Sequence, residues 1–431
     1  MPSGDLRVVT PPDGVFATGV RVPGDKSLSH RAIILAAMAE GESRVSGLAP
    51  GADVAASLRA VHRFGVEASR HRVNGRPWQQ PDGPIDCGNS GTTIRLLTGA
   101  AAGRPFSTTL IGDESLMQRP MDRLVAPLAA LGARVETNDG GLPPVTTGGG
   151  DLRGASVTIA LSSAQVRSAF QFAALQAEGS STIDGPPGFR DHTERWLESF
   201  GLGEKIEGTA FRVEPGPIPA TEYDIPSDPS SAAYLWASAA IIEGAHVVTP
   251  EVSLNPGRLG FLSILEQMGA DVHGEVTGAI HGDPTGVVSV AGRGLRGVEV
   301  KGSTAAAAID ELPLVGVLGA YAEGVTVVGD AGELRVKESD RIGTTVAMIQ
   351  GLGGAAEPTE DGFTVIGTGF LEAGTVSAAG DHRIAMAAGV AATGATGPVT
   401  IDGASAAAVS WPTFYDTLEA VWSSQSMDQE G

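Results

Sequence analysis

The chain has 431 residues, 42% of them hydrophobic and 5% aromatic, which is enough to bury the cores of two or three domains. Its formal net charge of −21 makes nucleic acid and anionic membranes poor partners, although a small anionic substrate could still bind where cations converge. The single cysteine, Cys87, excludes an intramolecular disulfide, and no signal peptide or apolar run of about 18 residues is visible. We therefore expect a soluble cytoplasmic protein.

Two kinds of helix alternate along the chain. The first kind is rich in alanine and apolar on nearly every side, so we expect it to be buried on most faces. Its six predicted copies cover residues 27–42, 90–103, 162–179, 229–244, 310–324 and 381–394.

The second kind is amphipathic, often ends at a glycine, and is usually followed by β-branched residues that predict a strand. Its copies begin near residues 53, 121, 192, 257, 339 and 412. The chain therefore reads as six α/β units, most simply three per domain, with the join near Tyr223–Asp228.

Charged and hydroxyl side chains gather where the buried helices of the first half begin. A helix N-terminus offers unpaired backbone N–H groups and suits anions, although ordinary capping explains an isolated serine there equally well. Arg119 precedes Pro120, which places it on an extended backbone suited to a bidentate anion contact. The candidates are Lys26, Ser27, Ser29, Arg31, Gly88, Asn89, Ser90, Gly91, Thr92, Arg95, Arg119, Ser162, Ser163, Gln165 and Arg190.

The second half adds carboxylates at the same kind of position. Asp310 and Glu311 precede an apolar helix, and plain capping explains at least one of them. With the cations Lys337, Arg341 and Arg383, the groups Asp310, Glu338 and His382 suggest acid/base chemistry on an anionic substrate. No metal-binding constellation and no nucleotide-binding glycine loop is visible.

Eight ordered motifs along essentially the whole chain resemble the 5-enolpyruvylshikimate-3-phosphate (EPSP) synthase family: PGDKSLSHR, GNSGTTIRLL, SLMQRPM, SSAQVRSA, DHTERW, DELP, LRVKESDRI and GDHRIAM. The resemblance implies an α/β fold of two similar domains, each made of three βαβαββ units in an inside-out α/β barrel. The active site would lie in the interdomain cleft. The implied domains are residues 18–226, and residues 1–17 with 227–431.

The resemblance also implies the reaction. The family transfers the enolpyruvyl group of phosphoenolpyruvate to the 5-hydroxyl of shikimate 3-phosphate, through a tetrahedral adduct that eliminates phosphate. This reaction belongs to chorismate and aromatic amino acid biosynthesis and needs no metal or organic cofactor. We expect a monomer that binds these two small molecules, and neither nucleic acid nor a membrane.

Site residues follow by matching motifs. Asp310 resembles the base at the 5-hydroxyl, Glu338 the proton-transfer partner at the methylene carbon, and His382 a histidine beside the site. Lys26, one of only four lysines against 25 arginines, resembles the lysine that reaches both substrates. Further shikimate 3-phosphate contacts are implied at Ser27, Arg31, Ser163, Ala164 (through its backbone), Gln165, Arg190 and Lys337. Implied phosphoenolpyruvate contacts are Lys26, Gly91, Arg119, Gln165, Arg341 and Arg383.

Three features of the sequence depart from patterns found in the family. Val409 stands where many relatives carry a lysine before the last aromatic-proline pair, and Glu333 stands where some carry an uncharged amide. The run Ser163-Ala164-Gln165 and Leu96 resemble the branch that contains glyphosate-tolerant enzymes, whereas Gly91 leaves room for glyphosate. We predict inhibition by glyphosate.

Two other readings stay open at this point. The first is UDP-N-acetylglucosamine enolpyruvyl transferase, which shares the fold but typically uses a cysteine on a mobile loop. Cys87 precedes the Gly-Asn-Ser-Gly turn instead, where a small buried hydrophobic role fits better. The second is a non-catalytic anion-binding repeat scaffold, which leaves the clustering of carboxylates with cations unexplained.

Overall fold

The computed structural model describes residues 5–424. These residues form two compact units, each with its own hydrophobic core. The central unit comprises residues 24–226 with the short segment 279–284, and the terminal unit comprises residues 5–23, 227–278 and 285–424. Residues 5–23 belong to the terminal unit, where the strand Ala17–Gly19 pairs in parallel with His246–Ser253.

The strands are short, and many alternate buried and exposed residues as strands with one covered face do. They are β1 (Leu6–Val9), β2 (Ala17–Gly19), β3 (Gly41–Ser46), β4 (Glu67–Ala68), β5 (Arg72–Gly75), β6 (Ile85–Asp86), β7 (Ser107–Ile111), β8 (Val135–Asn138), β9 (Leu142–Gly148), β10 (Ser156–Thr158), β11 (Ser181–Asp184), β12 (Gly203–Lys205), β13 (Phe211–Val213), β14 (Glu222–Asp224), β15 (His246–Ser253), β16 (Asp271–Ile280), β17 (Asp283–Ala291), β18 (Glu299–Val300), β19 (Val325–Val328), β20 (Ala355–Pro358), β21 (Phe363–Ile366), β22 (Gly374–Ser377) and β23 (Val399–Asp402).

The strands form six sheets across residues 5–424. In the central unit the strand orders are β14-β3-β5-β4, β6-β7-β9-β8 and β10-β11-β13-β12. In each of these sheets the first pair is parallel and the others are antiparallel. The terminal unit contains β16-β17-β15-β2, β18-β19-β21-β20 and the three-stranded β1-β23-β22. The predicted repetition of α/β units is confirmed.

The helices are α1 (Lys26–Met38), α2 (Ala52–Arg63), α3 (Gly91–Ala101), α4 (Val125–Ala130), α5 (Ala164–Ala174), α6 (His192–Ser199), α7 (Pro229–Ile241), α8 (Gly260–Met268), α9 (Gly302–Ala307), α10 (Leu312–Tyr321), α11 (Arg341–Gly351), α12 (His382–Ala391) and α13 (Phe414–Trp422). As predicted, α1, α3, α5, α7, α10 and α12 are largely buried. Small residues allow this packing: a Cβ added at Gly99 of α3 would lie 1.9 Å from the carbonyl oxygen of Ala169 in α5.

Five of the six buried helices begin with a side-chain cap. Each capping oxygen accepts a hydrogen bond from a backbone N–H of the first turn, which satisfies a donor that the helix itself cannot pair. The caps are Asp25, Ser90, Ser163, Asp228 and Asp381. The capping explanation for Ser163 is thus correct, and the residues beside these caps are fixed in place. Within residues 5–424, no helix combines the length and the apolar character that crossing a membrane requires.

Candidate active site

The predicted site residues fall into two groups, one in each unit. The central unit holds the candidates that precede residue 226, and the terminal unit holds those that follow residue 309. Nearly all of them lie within the first turns of buried or amphipathic helices, or in the loops just before them.

Arg31 is buried in the first half of α1 and is held by uncharged partners. Its Nε donates to Thr193 Oγ1 at 2.8 Å, Nη2 donates to Ser168 Oγ at 2.8 Å, and Nη1 donates to the Ser27 carbonyl at 2.9 Å. Burial lowers the pKa of Arg31 to about 10, and the like charge of Arg190 contributes to the lowering. Arg31 therefore stays cationic at neutral pH, and this part of the central unit suits a dianion such as a phosphate.

Lys26 is the first residue of α1. Its Nζ lies 3.1 Å from Asp53 Oδ2, in the first turn of α2, and its side chain keeps a quarter of its surface exposed. The carboxylate therefore fixes the direction of the lysine without burying it. Sequence reasoning missed Asp53, whose only signal was an acidic residue at an otherwise apolar helix start.

The start of α3 forms a second anion-binding candidate. Arg119 has the extended backbone that Pro120 predicted, and its Nη2 donates to Asn89 Oδ1 at 2.6 Å and to Ser115 Oγ at 3.2 Å. A Cβ added at Gly91 would lie 3.0 Å from Arg95 Nη1 and 3.5 Å from Arg119 Nη1. An added methyl group would force Arg95 to shift by a few tenths of an ångström but would make an ordinary contact with Arg119, so glycine chiefly permits the close approach of Arg95.

Gln165 joins this site to the start of α5. Its Oε1 accepts a hydrogen bond from Arg95 Nη1 at 2.7 Å, and its Nε2 donates to Thr92 Oγ1 at 3.0 Å. Ser163 caps α5, and Ala164 is its first residue. The helix starts of α3 and α5 are therefore tied together through predicted site residues.

The terminal group centres on Asp310 and two buried arginines. Asp310 Oδ1 lies 3.8 Å from Arg341 Nη1, and its Oδ2 lies 3.7 Å from Arg383 Nη2. Arg383 Nη1 also donates to the Asp310 carbonyl at 3.0 Å. The arginine side chains are 1% and 9% exposed, whereas the Asp310 side chain is 18% exposed. Arg341 and Arg383 are thus buried beneath the Asp310 carboxylate, which solvent still reaches.

Asp381 and Glu338 complete this cluster. Asp381 is fully buried, caps α12, and accepts from Arg341 Nε at 2.8 Å, while Glu338 pairs with Arg341 Nη2. His382 Nδ1 lies 3.9 Å from Asp381 Oδ1. The structure thus brings five of the predicted residues together: Asp310, Glu338, Arg341, His382 and Arg383.

The charges in the terminal cluster stabilise one another. Burial on its own lowers the pKa of Arg383, but the carboxylates of Asp310 and Glu311 outweigh it and raise this pKa above its ordinary value. Burial likewise raises the pKa of Asp381, yet the guanidinium of Arg341 holds it below its ordinary value. Arg383 and Asp381 are therefore both ionised at neutral pH.

Lys337, an expected substrate contact, pairs with a carboxylate of the protein. Its Nζ lies 3.2 Å from Glu333 Oε1, one turn earlier in the 3-10 helix Gly332–Val336. Glu333 is thus the acidic partner of Lys337. Val409 ends another 3-10 helix, Ala404–Val409, and brings no charge.

Cys87 is fully buried in the central core, and burial raises the pKa of its thiol to about 12. A thiol of this kind is not a nucleophile at neutral pH. No group of three or more histidine, cysteine, aspartate or glutamate side chains within residues 5–424 is arranged to hold a metal ion.

Comparison with known proteins gives a consistent result. A sequence model described as EPSP synthase (3-phosphoshikimate 1-carboxyvinyltransferase) matches residues 12–418. A 3-phosphoshikimate 1-carboxyvinyltransferase of Alkalilimnicola ehrlichii is 43% identical over 94% of this chain and 93% of its own length. The Bacillus licheniformis enzyme of the same name is 40% identical over 93% and 96%.

Solved structures agree with the sequence comparison. An EPSP synthase from Acinetobacter baumannii superimposes with a TM-score of 0.86 at 38% identity, over 96% of this chain and 98% of that one. The enolpyruvyl transferase NikO from Streptomyces tendae has a TM-score of 0.78 at 15% identity, over 97% and 98%, and shares the fold.

Proposed function

The chain belongs to the EPSP synthase (3-phosphoshikimate 1-carboxyvinyltransferase) family, and from this premise we propose how its residues bind the substrates and carry out the reaction. It is a transferase of aromatic amino acid biosynthesis, and it moves the enolpyruvyl group of phosphoenolpyruvate to the 5-hydroxyl of shikimate 3-phosphate, releasing phosphate. The acceptor UDP-N-acetylglucosamine is not favoured, since the family model and the two relatives described above carry the other name.

The proposed shikimate 3-phosphate contacts include Arg31, which carries most of the supporting geometry. The guanidinium is buried, cationic and oriented by three hydrogen bonds, so a phosphate meets a preorganised donor set. The proposed contacts are Lys26, Ser27, Arg31, Ser163, Ala164, Gln165, Arg190, Asp310 and Lys337.

The proposed phosphoenolpyruvate contacts are carried over from the family's motifs, and they include residues of each unit. Gly91 supports this assignment because its lack of a Cβ opens the helix start next to two guanidinium groups. The proposed contacts are Lys26, Gly91, Arg119, Gln165, Arg341 and Arg383. We also propose that the central and terminal units are the two domains that the family resemblance implies.

The chemistry proceeds by addition and elimination. Asp310 takes the proton of the 5-hydroxyl as that oxygen bonds to C2 of phosphoenolpyruvate, and Glu338 delivers a proton to C3, which gives a tetrahedral adduct. The C2–O bond to phosphate then breaks and phosphate leaves, while C3 returns a proton to Glu338 to restore the double bond. Lys26 stabilises the charge that develops between the substrates, because a compact ammonium can follow it where a planar guanidinium cannot. His382 adjoins the site.

The observation that carries this proposal is the contrast in exposure within the terminal cluster. Two carboxylates keep about a fifth of their surface exposed, while the arginine that contacts both is 1% exposed. A purely structural ion-pair network gives no reason for Asp310 and Glu338 to stay accessible while Asp381 is fully buried. Groups that exchange protons with a substrate need that access.

The experiment that tests the proposal measures phosphate release from phosphoenolpyruvate, with shikimate 3-phosphate or UDP-N-acetylglucosamine as acceptor. We expect release with shikimate 3-phosphate alone, and a loss of at least about a hundredfold in kcat for Lys26→Arg. Lys205→Arg is the matched control, because Lys205 ends an exposed strand of the same unit. Release with the nucleotide sugar, or equal rates for the two lysine variants, would overturn the proposal.

We further propose that the protein acts as a cytoplasmic monomer. Its formal net charge of −21 supports the absence of nucleic acid partners. Inhibition by glyphosate stays a prediction.

A further inference from the structure

The turn between β16 and β17 belongs to the central unit, although most of both strands belongs to the terminal unit. We call residues 279–284 the tip segment. Ile280 packs into the core of the central unit, and His281 Nε2 donates to the Glu222 carbonyl at 3.0 Å. Arg195 Nη1 donates to the Gly282 carbonyl at 3.3 Å. The tip segment is thus anchored beside α6.

The most buried contact of the tip segment joins Asp283 to His192, the first residue of α6. Nδ1 of His192 hydrogen-bonds Oδ2 of Asp283, and both side chains have no exposed surface. A carboxylate accepts hydrogen bonds, so Nδ1 carries the proton and the ring orientation is fixed. Burying a carboxylate is costly unless its partner is well placed, so this pair holds the start of α6 in one position.

The residue after His192 is Thr193, which contacts Arg31. Ser168 Oγ donates to the Ala164 carbonyl at 2.8 Å and therefore accepts the hydroxyl proton of Thr193, 2.7 Å away. Thr193 Oγ1 in turn accepts from Arg31 Nε at 2.8 Å. Each hydroxyl has a defined donor and acceptor role, so a shift at the start of α6 moves an oxygen on which the guanidinium depends.

We propose that Asp283 and His192 are positioning residues for the binding of shikimate 3-phosphate, acting through Thr193 on Arg31. The inference rests on the proposed role of Arg31 as a phosphate contact. It assigns a part in substrate binding to the tip segment, which lies 248 to 253 residues after Arg31 in the sequence.

The test compares Asp283→Asn, which keeps shape and removes charge, with His281→Phe, which removes a different anchor of the same segment and keeps its aromatic packing. Two quantities are measured on the full chain: shikimate 3-phosphate affinity by calorimetry, and solvent exchange of the Arg31 Nε–H proton by NMR. We expect about tenfold weaker binding and faster exchange in Asp283→Asn, and neither change in His281→Phe at comparable melting temperature.

A mutant cycle separates positioning from general destabilisation. Thr193→Val removes the hydroxyl through which Asp283 acts, so Asp283→Asn should add little to it. Unchanged affinity and exchange in Asp283→Asn, or full additivity with Thr193→Val, would overturn the inference. If Asp283→Asn does not fold, His192→Gln is measured by the same readouts and criteria.

Failure of the proposed function gives a different result. A wild-type protein that does not bind shikimate 3-phosphate would refute the proposed function. The exchange rate of Arg31 Nε–H then decides only whether Asp283 positions Arg31. Faster exchange in Asp283→Asn supports that positioning, and unchanged exchange refutes it.

Discussion

Arg341 and Asp381 make a two-point contact, with Nε 2.8 Å from Oδ2 and Nη2 3.2 Å from Oδ1, and neither side chain is more than 1% exposed. The same carboxylate accepts the backbone N–H of Arg383 at 2.8 Å and so caps α12. One buried aspartate therefore fixes both the first residue of α11 and the start of α12. The guanidinium of Arg341 is placed before any substrate arrives.

Replacing Asp381 by asparagine should lower the free energy of unfolding by about 3 kcal/mol, because it leaves a buried guanidinium with less compensating charge. Urea denaturation followed by fluorescence measures the change. The matched control is Asp416→Asn, which removes the charge of a mostly exposed partner of Arg7 and should cost at most about 1 kcal/mol. Equal losses in the two variants would show that the Arg341–Asp381 contact has no special energetic role.

His30 predicts a specific pH dependence of stability. Its ring is fully buried against Ser57, and burial lowers its pKa to about 3. His30 therefore binds a proton near pH 6.5 in the unfolded chain but only near pH 3 in the folded chain. Stability is fully present above pH 6.5 and falls by about 1.4 kcal/mol per pH unit below it, from this group alone.

The variant His30→Gln should accordingly be destabilised at pH 7 through its altered contact with Ser57. The difference in free energy of unfolding between variant and wild type should become smaller as the pH falls to 4. Denaturation midpoints at several pH values provide the comparison. His71→Gln replaces an exposed histidine and serves as control. A gap that stays constant with pH would contradict the assignment of acid sensitivity to His30.

The sequence predicts the helices of this fold better than it predicts the support of the site. The six buried helices can be predicted because alanine-rich segments such as 229–244 and 381–394 are apolar on nearly every side, and a helix of this kind must be buried. Arg119 was placed on an extended backbone because Pro120 excludes the helical conformation. These are local effects, which a single sequence contains.

The missed residues depend on contacts between distant segments. Asp53 reaches Lys26, and Thr193 reaches Arg31 across 162 positions of sequence. No local pattern distinguishes Thr193 from any other threonine near a helix start. The hairpin turn that carries Asp283 likewise gave no sign of belonging to the central unit, since its strands continue the pattern of the terminal one.

Gly91→Ala should raise the KM for phosphoenolpyruvate about tenfold, with a much smaller change for shikimate 3-phosphate. The added methyl group would lie 3.0 Å from Arg95 Nη1, so the arginine must shift by a few tenths of an ångström. Steady-state kinetics with each substrate varied in turn measures this. Gly14→Ala is the control because a Cβ there meets nothing within 4 Å. Equal effects on both substrates would argue against a phosphoenolpyruvate site at the start of α3.

Cys87→Ala should retain turnover within about twofold, since a buried thiol with a pKa of about 12 contributes packing and no chemistry. Iodoacetamide at pH 8 should likewise leave the native wild-type enzyme active. A large loss of turnover in the variant, without a matching loss of stability, would favour the cysteine-dependent sister family.

The measurement that tests the central claim most directly is the rate of phosphate release from phosphoenolpyruvate and shikimate 3-phosphate by Asp310→Asn. We expect kcat to fall by about 10²–10⁴-fold, because the substituted amide cannot accept the 5-hydroxyl proton. Asp330→Asn, an exposed aspartate of the same unit, should keep the wild-type rate. Wild-type turnover in Asp310→Asn would contradict the assignment of Asp310 as the general base. The buried arginines Arg341 and Arg383 would then have no catalytic carboxylate beside them.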